Sequence, residues 1–219
     1  MNYLLWQLAD SGFPSGGFAH SGGLEAAVHH GLVADDASVR MFARHALLQA
    51  GRSGLPLASA AHRQPGRLAE LDGLSDAFLT NPVAHRASCA QGRAWLASSS
   101  RSFPEAGLEA LEEQVERESL NGHYAPLFGA VTARLQIDAR EMRRLFLYVT
   151  ARAIGSAAVR LGLIGAFEAQ AIQAGLTGAI DRIAESSAGL EPLDIAQTAP
   201  LIDLFQSTHD RLYSRLFQS

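Results

Sequence analysis

Residues 138–161 read DAREMRRLFLYVTARAIGSAAVRL, and this stretch decides the fold class. Asp138 has the short acidic side chain that caps a helix N-terminus. Met142, Leu145, Phe146 and Val149 then recur at helical spacing, and the stripe continues through Ala153, Ser156 and Ala157. Side chains that small let another part of the chain come close, and the reading here is helix against helix. The spacing predicts a helix from Ala139 to about Leu161, broken by Gly162–Gly165.

The same period recurs on both sides. Downstream, Phe167, Ala171, Ile172, Leu176, Ile180 and Ile183 form a second stripe. Residues 186–199 read as a loop containing Pro192. The tail 200–217 returns to helical spacing through Leu201, Leu204, Phe205, Thr208 and Leu212. Upstream, Pro126 is expected to open a helix with Leu127, Phe128 and Val131, after a turn at Asn121-Gly122-His123. Asn81-Pro82 is a strong start signal for a helix that fades in the serines 98–100. Pro104 opens an acidic helix over 105–118. Asp35 or Asp36 caps a helix with Val39, Phe42, Ala43, Ala46 and Leu47 on one face, stopped by Gly51. Two further helices are expected over 55–64 and 67–79, the second interrupted by Gly73. No segment alternates with period two. The expected fold is all-α, one compact bundle of roughly ten helices, with residues 1–219 as a single domain.

Composition narrows the function. The chain has 219 residues, 47% hydrophobic, with net charge −4, which argues against a nucleic-acid binder, since such proteins carry a basic face. It contains no lysine, so a Walker-type phosphate loop and lysine Schiff-base chemistry are both excluded. One cysteine, Cys89, rules out an internal disulfide framework and fits a reducing cytoplasm; it reads as a small core residue. No apolar run approaches the ~20 residues that span a bilayer. The acidic set Glu109, Glu112, Glu113, Glu116 and Glu118 reads as a solvated face.

The N-terminus is the unusual part. Leu4–His30, LLWQLADSGFPSGGFAHSGGLEAAVHH, joins a short helix over 2–9 to a second one capped by Ser21, with Glu25 near its positive end. The connector carries five glycines, Pro14, and two phenylalanines, Phe13 and Phe18. Two aromatic rings are expected to be buried, so the connector is a packed loop and not a spacer. Ser21, His20 and Glu25 are of the right types for a hydrolytic site, but no G-x-S-x-G elbow follows a strand. His20, His29 and His30 are weak candidates for a metal, since adjacent histidines on a helix diverge by ~100°. The remaining histidines are scattered and read as structural. The tail keeps Tyr213, Leu216 and Phe217 close to its end, which implies that residues 200–219 are tied down, on their own core or on a partner.

These residues also resemble a known family. Gln7-Leu8-Ala9-Asp10-Ser11, Pro14, Gly16-Gly17-Phe18 and His20-Ser21-Gly22-Gly23-Leu24-Glu25 are similar to the N-terminal signature of the urease accessory protein UreF. The likeness continues through His123, Pro126, Phe128-Gly129, Ala157–Leu161, His209, Ser214–Phe217 and Ser219. It implies a cytoplasmic, all-α, dimeric adaptor without catalysis or a permanently bound cofactor. Such a protein binds UreD (also called UreH) and recruits the GTPase UreG. Together they pass nickel, the cargo of the complex, to apo-urease. The partner-binding residues expected on this basis are Pro14, Gly16, Phe18, His20, Ser21, Glu25, Arg160, Tyr213, Arg215, Leu216 and Phe217. The alternatives are a small-molecule hydrolase using Ser21, His20 and Glu25, or a direct nickel chaperone using His20, His29 and His30.

Overall fold

The computed structural model describes residues 3–219. Its eleven α-helices are α1 (Tyr3–Ala9), α2 (Leu24–His29), α3 (Asp36–Arg52), α4 (Gly54–Arg63), α5 (Leu68–Phe78), α6 (Pro82–Ser102), α7 (Glu109–Arg117), α8 (Tyr124–Arg134), α9 (Ala139–Arg160), α10 (Ala166–Ser186) and α11 (Pro200–Thr208). There is no strand among the described residues, so the all-α bundle stands. Asn2, expected in the first helix, lies outside the described residues.

The capping chemistry works as the sequence indicates. Asp35 and Ser38 close a reciprocal box, Asn81 accepts from the amides of Val83 and Ala84, and Asp138 accepts from Arg140. Each satisfies a donor that the first helical turn leaves unpaired.

Helix α9 runs through the centre. It packs on α3 and α10 on one side and on α4 and α8 on the other, while α8 lies in the angle made by α4, α5 and α6. Met142, Leu145, Phe146, Leu147, Val149 and Ile154 of α9 are all buried. An aromatic chain ties three helices together. Trp95 of α6 stacks on Phe128 of α8 at 4.8 Å between ring centroids, and Phe128 meets Phe146 of α9 edge-on at 5.1 Å.

Several expectations need correction. Helix α3 ends at Arg52, one residue past Gly51, and the bare backbone of Gly51 also lets Ile183 of α10 seat against it; a Cβ there would lie 2.3 Å from the Ile183 side chain. Gly73 and the serines 98–100, by contrast, sit inside continuous helices, with Ser99 and Ser100 buried. A weak local propensity costs ~1 kcal/mol, and tertiary burial outweighs it. The expected helix over 105–118 is split at Gly107, whose φ of +64° ends a single 3-10 turn before α7. Helix α8 opens at Tyr124, two residues ahead of Pro126. Phe167 is 90% exposed at the first turn of α10, and Ala171 is exposed too, so the buried stripe begins at Ile172. The tail is helical only to Thr208, followed by a 3-10 turn at His209–Arg211 and an extended end. Its inward residues are Ile202, Phe205, His209, Leu212 and Phe217, while Leu201 and Leu204 face outward.

Candidate functional site

The connector between α1 and α2 is a folded loop, and its two phenylalanines part company. Phe13 is buried against Trp95 and Phe103, at 5.4 and 6.3 Å between centroids. Phe18 is 69% exposed, contrary to the expectation that both rings lie inside. Gly16 separates them. Its φ of +75° is left-handed, and any Cβ would press on that of Ala94 at 2.9 Å. Ser98 of α6 donates to the Pro14 carbonyl at 2.7 Å, which fastens the loop to the bundle.

Arg160 packs on one face of the exposed Phe18 ring. The Arg160 guanidinium, at the last residue of α9, lies 3.8 Å from the Phe18 ring centroid and 4.2 Å from that of Phe217. It also donates to the Phe18 carbonyl. One cation thus bridges the loop, α9 and the end of the chain, using the stacking geometry that suits a planar guanidinium. Beneath it lies a cleft of about 140 Å³, lined among others by Tyr124, Arg152, Ala153, Ser156 and Ala157. Ala153, Ser156 and Ala157 of α9 line this cleft beside the loop, and α9 packs on α3, α4, α8 and α10 as well. Desolvation raises the Tyr124 phenol above its ordinary value.

The tail is fastened by backbone and side chain alike. Ser21 N–H donates to the Ser219 carbonyl at 2.6 Å, and Gln218 N–H donates to Ala19 at 2.9 Å. His20 Nδ1 pairs with Ser219 Oγ at 2.5 Å. Burial, and then the nearby His209, hold the His20 imidazole below its ordinary value. Glu25, buried on α2, takes His209 Nε2 at 2.9 Å and the backbone N–H groups of Leu216 at 2.5 Å and Phe217 at 3.2 Å. The end of the chain is docked on its own core, with Phe217 and Ser219 buried. Tyr213 and Leu216 point away, 102% and 51% exposed. Arg215 is exposed beside Asp210, at 3.3 Å.

Pro14, Gly16, Phe18, His20, Ser21, Glu25, Arg160 and Phe217 thus meet on one side of the molecule. Tyr213, Arg215 and Leu216 flank them. The geometry of a hydrolytic triad is a different matter. Ser21 Oγ is buried with no partner among the described residues, while His20 turns to Ser219 and Glu25 is filled by the tail. Nor does Ser21 cap α2. The turn through Gly22 and Gly23 puts Gly23 in the N-cap position at φ +90°, two residues later.

The three histidines singled out for metal do not converge. His29 and His30 are exposed with ring centroids 5.9 Å apart, and His30 contacts Thr208 Oγ1 at 3.3 Å. The convergent set is one that the sequence left scattered: His85, Cys89 and His123. Cys89 is half-buried between imidazoles and not a core residue. The pair His85 and Cys89, four apart on one helix, was a readable signal. His123, 34 residues further on, was not.

Known proteins are similar to this chain along its whole length. The family model UreF matches residues 33–177. Urease accessory protein F of Arabidopsis thaliana is 35% identical over 223 residues, covering 100% of this chain and 93% of that protein. Urease accessory protein UreF of Rhizobium leguminosarum bv. viciae is 32% identical over 212 residues, with 94% of this chain and 91% of that protein covered. Urease accessory protein UreF of Mycobacterium bovis (strain BCG / Pasteur 1173P2) is 30% identical over 217 residues, at 99% and 98% coverage.

Proposed function

The chain belongs to the UreF family of urease accessory proteins, and from that premise we propose that it is a non-catalytic, cytoplasmic adaptor in urease maturation. It bridges UreD (UreH) and the GTPase UreG, tunes that GTPase, and so assists delivery of nickel to apo-urease. Nickel is the cargo of the complex. The adaptor works as a homodimer.

The observation that carries this reading is the surface around Arg160. Three separate parts of the chain build it: the glycine-rich loop, the end of α9 and the terminal residues. An exposed aromatic ring stacked under an arginine, on rigid supports, is the composition that protein interfaces favour at their centres. A catalytic centre would need a nucleophile within hydrogen-bond reach of a base, and Ser21 has no such contact. No helix among the described residues is long and apolar enough to cross a membrane.

We assign the Phe18–Arg160 face to UreG and the exposed Tyr213 and Leu216 to UreD. The test is co-purification of the full chain with both partners, with and without GTP. Phe18→Ala or Arg160→Ala, folded by circular dichroism, is expected to lose UreG and keep UreD. Tyr213→Ala with Leu216→Ala is expected to do the reverse. Unchanged recruitment of both partners by all of these folded variants overturns the assignment.

A further inference from the structure

On the opposite side of α6 from the loop contacts, a different chemistry is assembled. His85 and Cys89 are four residues apart on α6, so both side chains emerge on one face a turn apart. His123 comes from the loop before α8 and is completely buried. One ligand atom from each of the three lies within 4.8 Å of the others. The Cys89 sulfur is 3.9 Å from His85 Nδ1, and 3.7 and 3.9 Å from the two nitrogens of His123. Tetrahedral zinc with nitrogen and thiolate ligands places them about 3.5 Å apart. The sulfur–nitrogen distances are thus within a few tenths of an ångström of that value, and the three ligand atoms would draw together from within 4.8 Å of one another.

The surroundings have the form of an outer shell. Asp76 of α5 holds His85 Nε2 at 2.7 Å, which leaves Nδ1 facing the thiol. A carboxylate on the far nitrogen is what orients histidine ligands in metal sites. His123 Nδ1 lies 3.1 Å from Ser88 Oγ, which leaves Nε2 on the side of Asp76 and Cys89. Nε2 is 3.5 Å from Asp76. The His123 backbone is fixed as well. Asp72, buried on α5, accepts from the N–H groups of Asn121 and His123, both at 2.7 Å. Gly92 lets the loop press on α6, since a Cβ there would sit 2.1 Å from the Gly122 carbonyl. A lone His85–Asp76 ion pair would need none of this second histidine, or a thiol set between the two rings.

We infer that His85, Cys89 and His123 form a three-ligand site for a borderline divalent transition metal, with Asp76 positioning His85 and the fourth position open to water. Two imidazoles and a thiolate select zinc, cobalt or nickel over magnesium and calcium, which take oxygen ligands. His85, Cys89 and Asp76 are all partly exposed, so the ion can enter and leave. The site lies apart from the Phe18–Arg160 face and does not depend on the adaptor reading.

Cobalt(II) is the probe. Titrated into the reduced full-length protein, it is expected to give one equivalent of binding, a thiolate-to-cobalt charge-transfer band in the near ultraviolet, and the visible bands of a four-coordinate ion. Zinc should displace it. Cys89→Ser should remove the charge-transfer band. His85→Asn should weaken binding about 100-fold or more, and Asp76→Asn about 10–100-fold, as expected for an outer-shell partner. His29→Asn with His30→Asn should change nothing. Each variant is first shown to be folded by circular dichroism. Absence of the band in wild type, its survival in Cys89→Ser, or equal loss in the His29/His30 variant overturns the site.

Discussion

Glu25 and His209 meet inside the protein across 184 residues of chain, with His209 Nε2 donating to Glu25 Oε2 at 2.9 Å and neither side chain appreciably exposed. The same carboxylate receives the Leu216 and Phe217 amides, so α2 holds the final turn and the terminal residues at once. Glu25→Ala would strand two buried donors, on His209 and Phe217, and the half-buried Leu216 amide. It is expected to destabilise the fold by about 3 kcal/mol. Urea unfolding would measure the loss, and hydrogen exchange should show the Leu216 and Phe217 amides opening first.

His20 gives the fold a pH dependence of known sign. Burial, with His209 nearby, lowers its folded-state pKa below 6.5. Below 6.5 the unfolded chain therefore binds more protons than the folded one. Stability from this residue is complete above the ordinary histidine value and is lost as pH falls from there toward the folded pKa. Subtracting the urea stability of His20→Asn from that of wild type, across pH 5 to 8 (about the histidine range), should give a difference that shrinks on acidification. A difference that grows would mean that the protonated imidazole is the favoured form in the fold.

Much of the frame was legible, because caps and long periodic stripes are local. Asp35, Asn81 and Asp138 each start the helix that their side-chain chemistry indicates. What failed was propensity set against burial. Gly51 marks the end of α3 to within one residue but also serves Ile183, distant in sequence, and Ser99, which looks like a break, is fully buried inside α6. Exposure of large rings failed for the same reason. Whether Phe18 or Phe167 is buried depends on what crosses over it. The Ser21 reading missed the left-handed turn at Gly22 and Gly23 that delays α2. At the surface site, the loop and the Arg160 segment could both be picked out. That Phe217 completes the stack on the guanidinium depends on the path of the tail.

Arg160 separates a structural role from a recognition role. Arg160 is itself only half-buried, with one exposed ring, Phe18, and one buried ring, Phe217, under its guanidinium, so Arg160→Ala is expected to cost about 1 kcal/mol. Arg160→Lys keeps the charge but not the planar fork that stacks between Phe18 and Phe217. Under the adaptor reading, lysine should not restore UreG recruitment. Full recovery with lysine would mean that charge alone is read at this face.

The two loop phenylalanines should respond in opposite ways. Phe13 is 8% exposed and packs on Trp95 and Phe103. Its removal leaves a cavity against the aromatic chain that joins α6, α8 and α9, and Phe13→Ala is expected to cost about 3–4 kcal/mol. Phe18 is mostly in water, so Phe18→Ala loses the cation–π contact and little burial, less than about 1 kcal/mol. Thermal unfolding of the two variants against wild type gives the stability difference. Recruitment of UreG by each variant, measured at a temperature where Phe13→Ala stays folded, gives the functional one. Phe13→Ala should recruit almost normally and Phe18→Ala should not. If both variants lost stability equally, the Phe18 ring would have to be covered in solution, and the exposed face built on Arg160 would not exist as described.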